Sequence, residues 1–192
     1  MKKRIIPLCI FLAAVLALCL TAATTAFLTR QTTADNILTF GALQLALRQT
    51  TLNSHGEEVP VAQDSTFDIT SHSAVSRILR VENTGEHPMY VRVALHMVGT
   101  TADGKTFDTR DLVSYQLNEA DWVYRDGWYY YKQILTPHET TNALMTQVIF
   151  QDINSITQTY PGSQFDLDVD AQAVQSENNT TDVLSATGWP EP

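Results

Sequence analysis

His138-Glu139-Thr140-Thr141-Asn142 holds the first two residues of the zinc-peptidase motif H-E-x-x-H. That motif works because two histidines one helical turn apart share a face and bind zinc, with the glutamate as general base. Here Asn142 stands at the fifth position, and Pro137 with two threonines favours a turn over a helix. No zinc site is expected. Asp166, Asp168 and Asp170 open like a calcium loop, with Glu177 at the twelfth position, but Ala171 occupies the sixth, where such a loop needs glycine to turn. Phe165, Leu167, Val169 and Ala171 alternate with these aspartates, so a strand with an acidic solvated stripe accounts for every residue. A weak cation site on the three aspartates is the alternative. Next-nearest side chains on one strand face stand roughly 7 Å apart, so the three charges repel unless cross-strand Lys or Arg offsets them.

The five histidines, His55, His72, His87, His96 and His138, have no ligand-like spacing. The nucleophile elbow G-x-S-x-G and phosphate-cradling glycine loops are absent. Cys9 and Cys19 are the only cysteines, and both fall in the N-terminal leader described below. These residues predict no catalytic group, no metal and no cofactor. The chain carries 12 Lys and Arg against 21 Asp and Glu, a formal charge of −9. Removing Lys2, Lys3 and Arg4 with the leader leaves 9 basic residues against 21 acidic ones, or −12. Such a surface repels phosphate chains, which argues against nucleic acid, and it favours solubility, cations or basic partners.

A second kind of chemistry is binding by aromatic rings. Ala120 to Pro137, ADWVYRDGWYYYKQILTP, is the densest aromatic stretch. Asp126-Gly127 is a two-residue hairpin signal between Trp122-Val123-Tyr124 and Trp128 to Leu135. Alternation sends Trp128, Tyr130 and Lys132 to one face and Tyr129, Tyr131 and Gln133 to the other. Trp122, Trp128, Tyr129 and Tyr131 are therefore candidates for a sugar-stacking or partner-binding surface. The competing reading is that these rings are cross-strand pairs that stiffen a sheet.

The elements that position these residues read as strands. Arg77 to Val98, RILRVENTGEHPMYVRVALHMV, has the pattern of a β-hairpin: Ile78, Leu79 and Val81, then Asn83 to Pro88, then Val91, Val93, Leu95 and Met97 at period two. One face is apolar and needs a second layer. Leu43, Leu45 and Leu47 place a first strand over Ile37 to Arg48. Further strands are expected at Ser65 to Thr70, Val113 to Leu117, Leu144 to Phe150 and Phe165 to Val174. Turns are expected at His55-Gly56, Val59-Pro60 and Asp103-Gly104, and a polar connection over Asp152 to Gln164. No amphipathic helix is expected. Many short strands with turn chemistry between them predict an all-β fold of two packed antiparallel sheets. Asn178 to Thr181 holds overlapping glycosylation sequons.

The chain begins with Lys2-Lys3-Arg4, an apolar run from Ile5 to Leu20, and the small residues Thr21 to Ala26. This is the pattern of a secretory signal peptide, residues 1–26, with cleavage after Ala23 or after Ala26. An uncleaved membrane anchor is the alternative; a spanning helix wants about 20 apolar residues. A flexible segment over 27–36, a sandwich over 37–175 and a polar tail over 176–192 complete the expected organisation. The tail is expected to be loose, with Trp189 docked back. No wall-sorting motif is seen, so release from the cell is expected rather than covalent anchorage.

Ala26-Phe27, the spacer Thr33-Ala34-Asp35-Asn36, and Phe40-Gly41 opening Leu43-Gln44-Leu45 resemble the export leader and first strand of the TasA/camelysin family of Gram-positive bacteria. Val81-Glu82-Asn83-Thr84-Gly85 followed by Tyr90-Val91-Arg92-Val93 is similar to a recurring pair of strands in that family. Where related chains carry Pro-Gly-Glu-x-Thr, this one has His138 in place of the glycine, so His138 is expected at positive φ. The resemblance implies a jelly-roll sandwich, processing by a SipW-type signal peptidase, and a secreted, non-enzymatic matrix component or fibre subunit. It implies assembly with itself or other matrix proteins through the released N-terminus, with Phe27, Ile37, Leu38 and Phe40 as the candidate donor segment. Contact with a membrane is expected only through the uncleaved leader. The camelysin name also implies a secreted metallopeptidase, which no spacing here supports. A monomeric surface-binding module using the aromatic hairpin is a further alternative.

Overall fold

The computed structural model describes residues 36–40, 43–61, 67 and 73–190. The leader with Ala23 and Ala26, the spacer with Phe27, and most of the strand expected at Ser65 to Thr70 lie outside the described residues. Among the described residues the fold is all-β, two antiparallel sheets facing one core. The first sheet holds β1 (Asn36–Phe40), β2 (Leu43–Leu52), β4 (Ala74–Asn83), β10 (Met145–Phe150) and β7 (Val113–Leu117), in that order, with β3 (Glu58–Pro60) also on β2. The second runs β11 (Gln164–Gln175), β5 (Met89–Thr100), β9 (Trp128–Tyr131) and β8 (Trp122–Arg125), with β6 (Thr106–Phe107) on β5. Inner-face residues of both sheets, among them Leu45, Leu79 and Val148 from the first and Val91, Val93 and Phe165 from the second, form one buried cluster.

The expected hairpin over Arg77 to Val98 does not form. Its two strands, β4 and β5, belong to different sheets, and the connection Thr84 to Pro88 is an arch across the core. The backbone partners that a hairpin would supply come from the segment between β9 and β10. Asn83 N–H donates to Glu139 O, His138 N–H to Asn83 O, and Met89 and Leu135 exchange two bonds. Asn83 is fully buried. Its amide donates to His87 O (2.9 Å) and Leu135 O (3.1 Å), and its Oδ1 accepts from Gly85 N–H (3.0 Å). An apolar face on each strand and a turn between them fit either connection. In a hairpin both faces would lie on one side of one sheet, whereas the arch turns them toward each other.

Two other expectations are corrected. The single strand over Ile37 to Arg48 is two, β1 and β2, paired antiparallel from Asn36↔Leu47 to Phe40↔Leu43. The connection after Asp152 holds a short helix, α1 (Ile153–Thr159); Asp152 Oδ1 caps it by accepting from Ser155 N–H, and Ile156 enters the core. Seven residues carry too little periodicity to announce a helix in sequence. Beside it Phe107 stacks on Tyr160 with centroids 3.9 Å apart. Gly99 makes room for that ring, since a Cβ there would stand 2.5 Å from Phe107 Cζ.

The aromatic hairpin forms as expected. Asp126 (φ 50°) and Gly127 (φ 88°) both take left-handed conformations, which matches a type I′ turn, and β8 pairs with β9 from Trp122↔Tyr131 to Arg125↔Trp128. His138 also stands at positive φ (61°), as expected.

Candidate functional site

Three features of the sequence reading are placed by the fold: the aromatic hairpin, the acidic and histidine-bearing segments, and the first strand. The hairpin divides its rings between two faces. Trp122 and Tyr131 pair across the strands with centroids 5.0 Å apart and are buried in the core, so neither forms an open stacking platform. Trp122 Nε1–H donates to Asn142 O (3.2 Å). Tyr129, on the same face, sits 4.9 Å from Tyr124 at a 50° tilt, and Tyr124 is 61% exposed. Tyr124 was absent from the sequence candidates because strand alternation alone does not show that the hairpin extends past the end of the core.

The opposite face carries Trp128 and Tyr130. Arg92 of β5 lies between two indoles, its guanidinium carbon 4.3 Å from the Trp128 ring and 4.6 Å from the Trp189 ring. Gln172 Oε1 accepts from both Arg92 Nε and Nη2 (2.9 and 2.6 Å). Trp189 is docked here, as expected. The rest of the tail is not loose through its described length: Val183 and Ala186 bury against Tyr90, Tyr130 and Val174, and Tyr90 Oη donates to Thr180 O (2.7 Å). Asn179 Nδ2 donates to both Gln175 O and Thr187 O, so a glycan on that nitrogen would break the strap's internal bonds. Trp128 is therefore half-buried under the chain's own tail rather than part of an open platform with Tyr129.

What remains open is a cleft between β7 and β8, the outermost strands of the two sheets at this side of the sandwich. Its volume is about 490 Å³, and Leu117, Asn118, Glu119, Trp122, Tyr124 and Tyr129 line it. The β7–β8 connection closes its floor. Lys132 Nζ donates to Glu119 O (2.8 Å) and Ala120 O (2.9 Å), and Asp121 Oδ2 accepts from the amides of Asn118 and Asn142 (2.8 and 2.9 Å). These bonds hold the floor in one geometry before any ligand arrives.

Tyr115 of β7 adjoins Tyr129. Burial, then the neighbouring Tyr129, pushes the Tyr115 phenol up to about 12, and burial, then Tyr124, raises Tyr129. A phenol whose folded pKa lies above the unfolded value near 10 holds its proton longer in the folded state, so its contribution is present below pH 10 and lost as pH rises toward 12. Urea midpoints of the wild type are expected to fall between pH 10 and 12, and Tyr115→Phe is expected to flatten that fall. An unchanged slope in Tyr115→Phe would mean that Tyr115 ionises as freely as in the unfolded chain.

The His138 segment is a turn: Glu139 N–H donates to Thr136 O, and Thr140 bridges Glu82. The helical face that H-E-x-x-H requires is not formed there. Asp166, Asp168 and Asp170 lie exposed on the outer face of β11, opposite Val98, His96 and Ala94 of β5, with no Lys or Arg directly across. Among the described residues no three His, Cys, Asp or Glu side chains gather to hold a metal ion. Ile37, Leu38 and Phe40 lie on β1, at the outer edge of the first sheet, and among the described residues β1 hydrogen-bonds to β2 on one side only.

No family model, no curated protein and no solved structure matches this chain.

Proposed function

We propose that this chain is an exported, non-enzymatic structural protein, a matrix component or fibre subunit that assembles by strand addition at its N-terminal edge. The observation that carries the reading is β1. It is a five-residue edge strand at the start of the domain, directly after the leader and spacer, and among the described residues it pairs with β2 alone. Such an edge presents a row of unpaired N–H and C=O groups, the template on which a strand from another chain adds. The spacer ahead of it, Phe27 to Asp35, contains no proline, so each residue has an N–H to give to a neighbour's ladder.

In this reading residues 1–26 direct export, a SipW-type signal peptidase cuts after Ala23 or Ala26, and the released segment from Phe27 to Phe40, with Ile37, Leu38 and Phe40 in β1, joins the next subunit. The partner is a second copy or another matrix protein, outside the cell or on its surface. The resemblance to the TasA/camelysin family and its jelly-roll connectivity belong to the same proposal.

Sedimentation and electron microscopy of two chains test it, one beginning at Phe27 and one at Ile37. Fibres from the first and monomers from the second are expected. Monomers from both, or fibres from both, would overturn strand addition through this segment.

A further inference from the structure

We propose that the cleft between β7 and β8 binds a neutral, β-linked oligosaccharide. The inference is independent of the assembly reading, which concerns the β1 edge of the first sheet. It rests on three properties of the cleft: shape, unspent hydrogen-bonding capacity and charge.

Two ring faces form the wall. Tyr124 and Tyr129 stand 4.9 Å apart at a 50° tilt, and Tyr124 keeps 61% of its surface open to solvent at a concave position. A β-linked pyranose with equatorial hydroxyls presents C–H groups on its two faces and hydroxyls around its edge. It therefore lays an apolar face on a tyrosine ring and offers polar groups to the rim. The volume of about 490 Å³ lies within the usual range of small-molecule sites and suits roughly two or three sugar rings.

The hydroxyls of the lining Tyr124 and Tyr129 make no hydrogen bond to any described residue, in contrast to Tyr90 and Tyr130, whose hydroxyls are engaged by Thr180 O and Arg92 Nη1. A phenol ordinarily keeps its proton at neutral pH and can donate as well as accept there. An apolar ligand would leave these groups unpaired on closing the cleft, at a cost a polyol avoids. The charges cancel as well. Glu119 is the lining acid and Lys132 the lining base, and the ammonium is spent on the carbonyls of Glu119 and Ala120. A ligand of either sign gains little there.

Isothermal titration of the chain beginning at Phe27 with cellohexaose and with chitohexaose tests the assignment. Both probes are neutral and β-1,4-linked. Binding of at least one is expected, weakened tenfold or more by Tyr124→Ala, an exposed substitution that spares the core, and several-fold by Tyr129→Phe, which removes only the hydroxyl. Trp128→Ala serves as a control on the opposite face and is expected to leave binding unchanged. Binding of neither probe would overturn the proposal, as would binding indifferent to both tyrosine substitutions. Self-association lost in Tyr124→Ala with no response to either glycan would give the cleft to a second copy instead. A failure of fibre formation in the N-terminal test leaves these titrations unaffected, so the two readings fail separately.

Discussion

Asn83→Ala is expected to destabilise the fold by about 3 kcal/mol, read from urea midpoints at neutral pH. The side chain is fully buried in the β4–β5 arch, and its three bonds reach His87 O, Leu135 O and Gly85 N–H. Removing it takes from His87 O and Gly85 N–H the partner each has here and from Leu135 O one of two, since Leu135 O still accepts from Met89 N–H, and each unsatisfied buried group costs on the order of 1–3 kcal/mol. Some of that is recovered because the arch lies near solvent at Glu86 and His87, which are not buried. Asn83→Asp is expected to do at least as much harm, since it retains the acceptor toward Gly85 but turns a carboxylate toward two carbonyl oxygens. A loss below about 1 kcal/mol in Asn83→Ala would mean that the backbone bonds to Glu139 and His138 hold the arch by themselves.

Phe150→Ala is expected to cost about 4 kcal/mol, within the range for deleting a buried aromatic side chain. Phe150 belongs to β10 in one sheet and is 2% exposed. Its ring meets that of Phe165, from β11 in the other sheet, edge to face at 5.1 Å, and meets Phe67 at 5.8 Å. The Phe150–Phe165 contact therefore joins the two layers directly. Comparing Phe150→Ala, Phe165→Ala and the double variant by urea unfolding is expected to give a coupling of about 1 kcal/mol, because each ring's loss removes the same contact. Additive losses would mean that the sheets are held by burial alone.

The sequence by itself determined the fold class and most strand positions. Period-two alternation is a property of consecutive residues, so Val91 to Met97, Phe165 to Ala171 and Val113 to Leu117 announced their strands without knowledge of their partners. Turn chemistry was equally local. Asp126-Gly127 formed its hairpin because both residues tolerate the left-handed backbone a two-residue turn demands. The same locality hid α1, whose seven residues owe their helix to the Asp152 cap and the burial of Ile156.

Only the tertiary structure decided which strands pair and which rings face water. The arch after Asn83 and a hairpin share one sequence pattern, because the choice depends on whether the partner is β5 or the distant Leu135 to Thr141 segment. Alternation assigned Tyr129 and Tyr131 to one face but was silent on depth along it and on where Trp122 falls across the hairpin. Trp122 and Tyr131 are buried in the core, Tyr129 is half-buried beside Tyr115 of β7, and Tyr124 is exposed at the cleft between the edges β7 and β8. The Trp128–Arg92–Trp189 stack joins residues 97 positions apart at its extremes, Arg92 and Trp189, and no short-range pattern encodes such a contact. Burial and exposure at the edge of a sandwich are set by what packs from the far end of the chain, and that information is absent from any window of neighbouring residues.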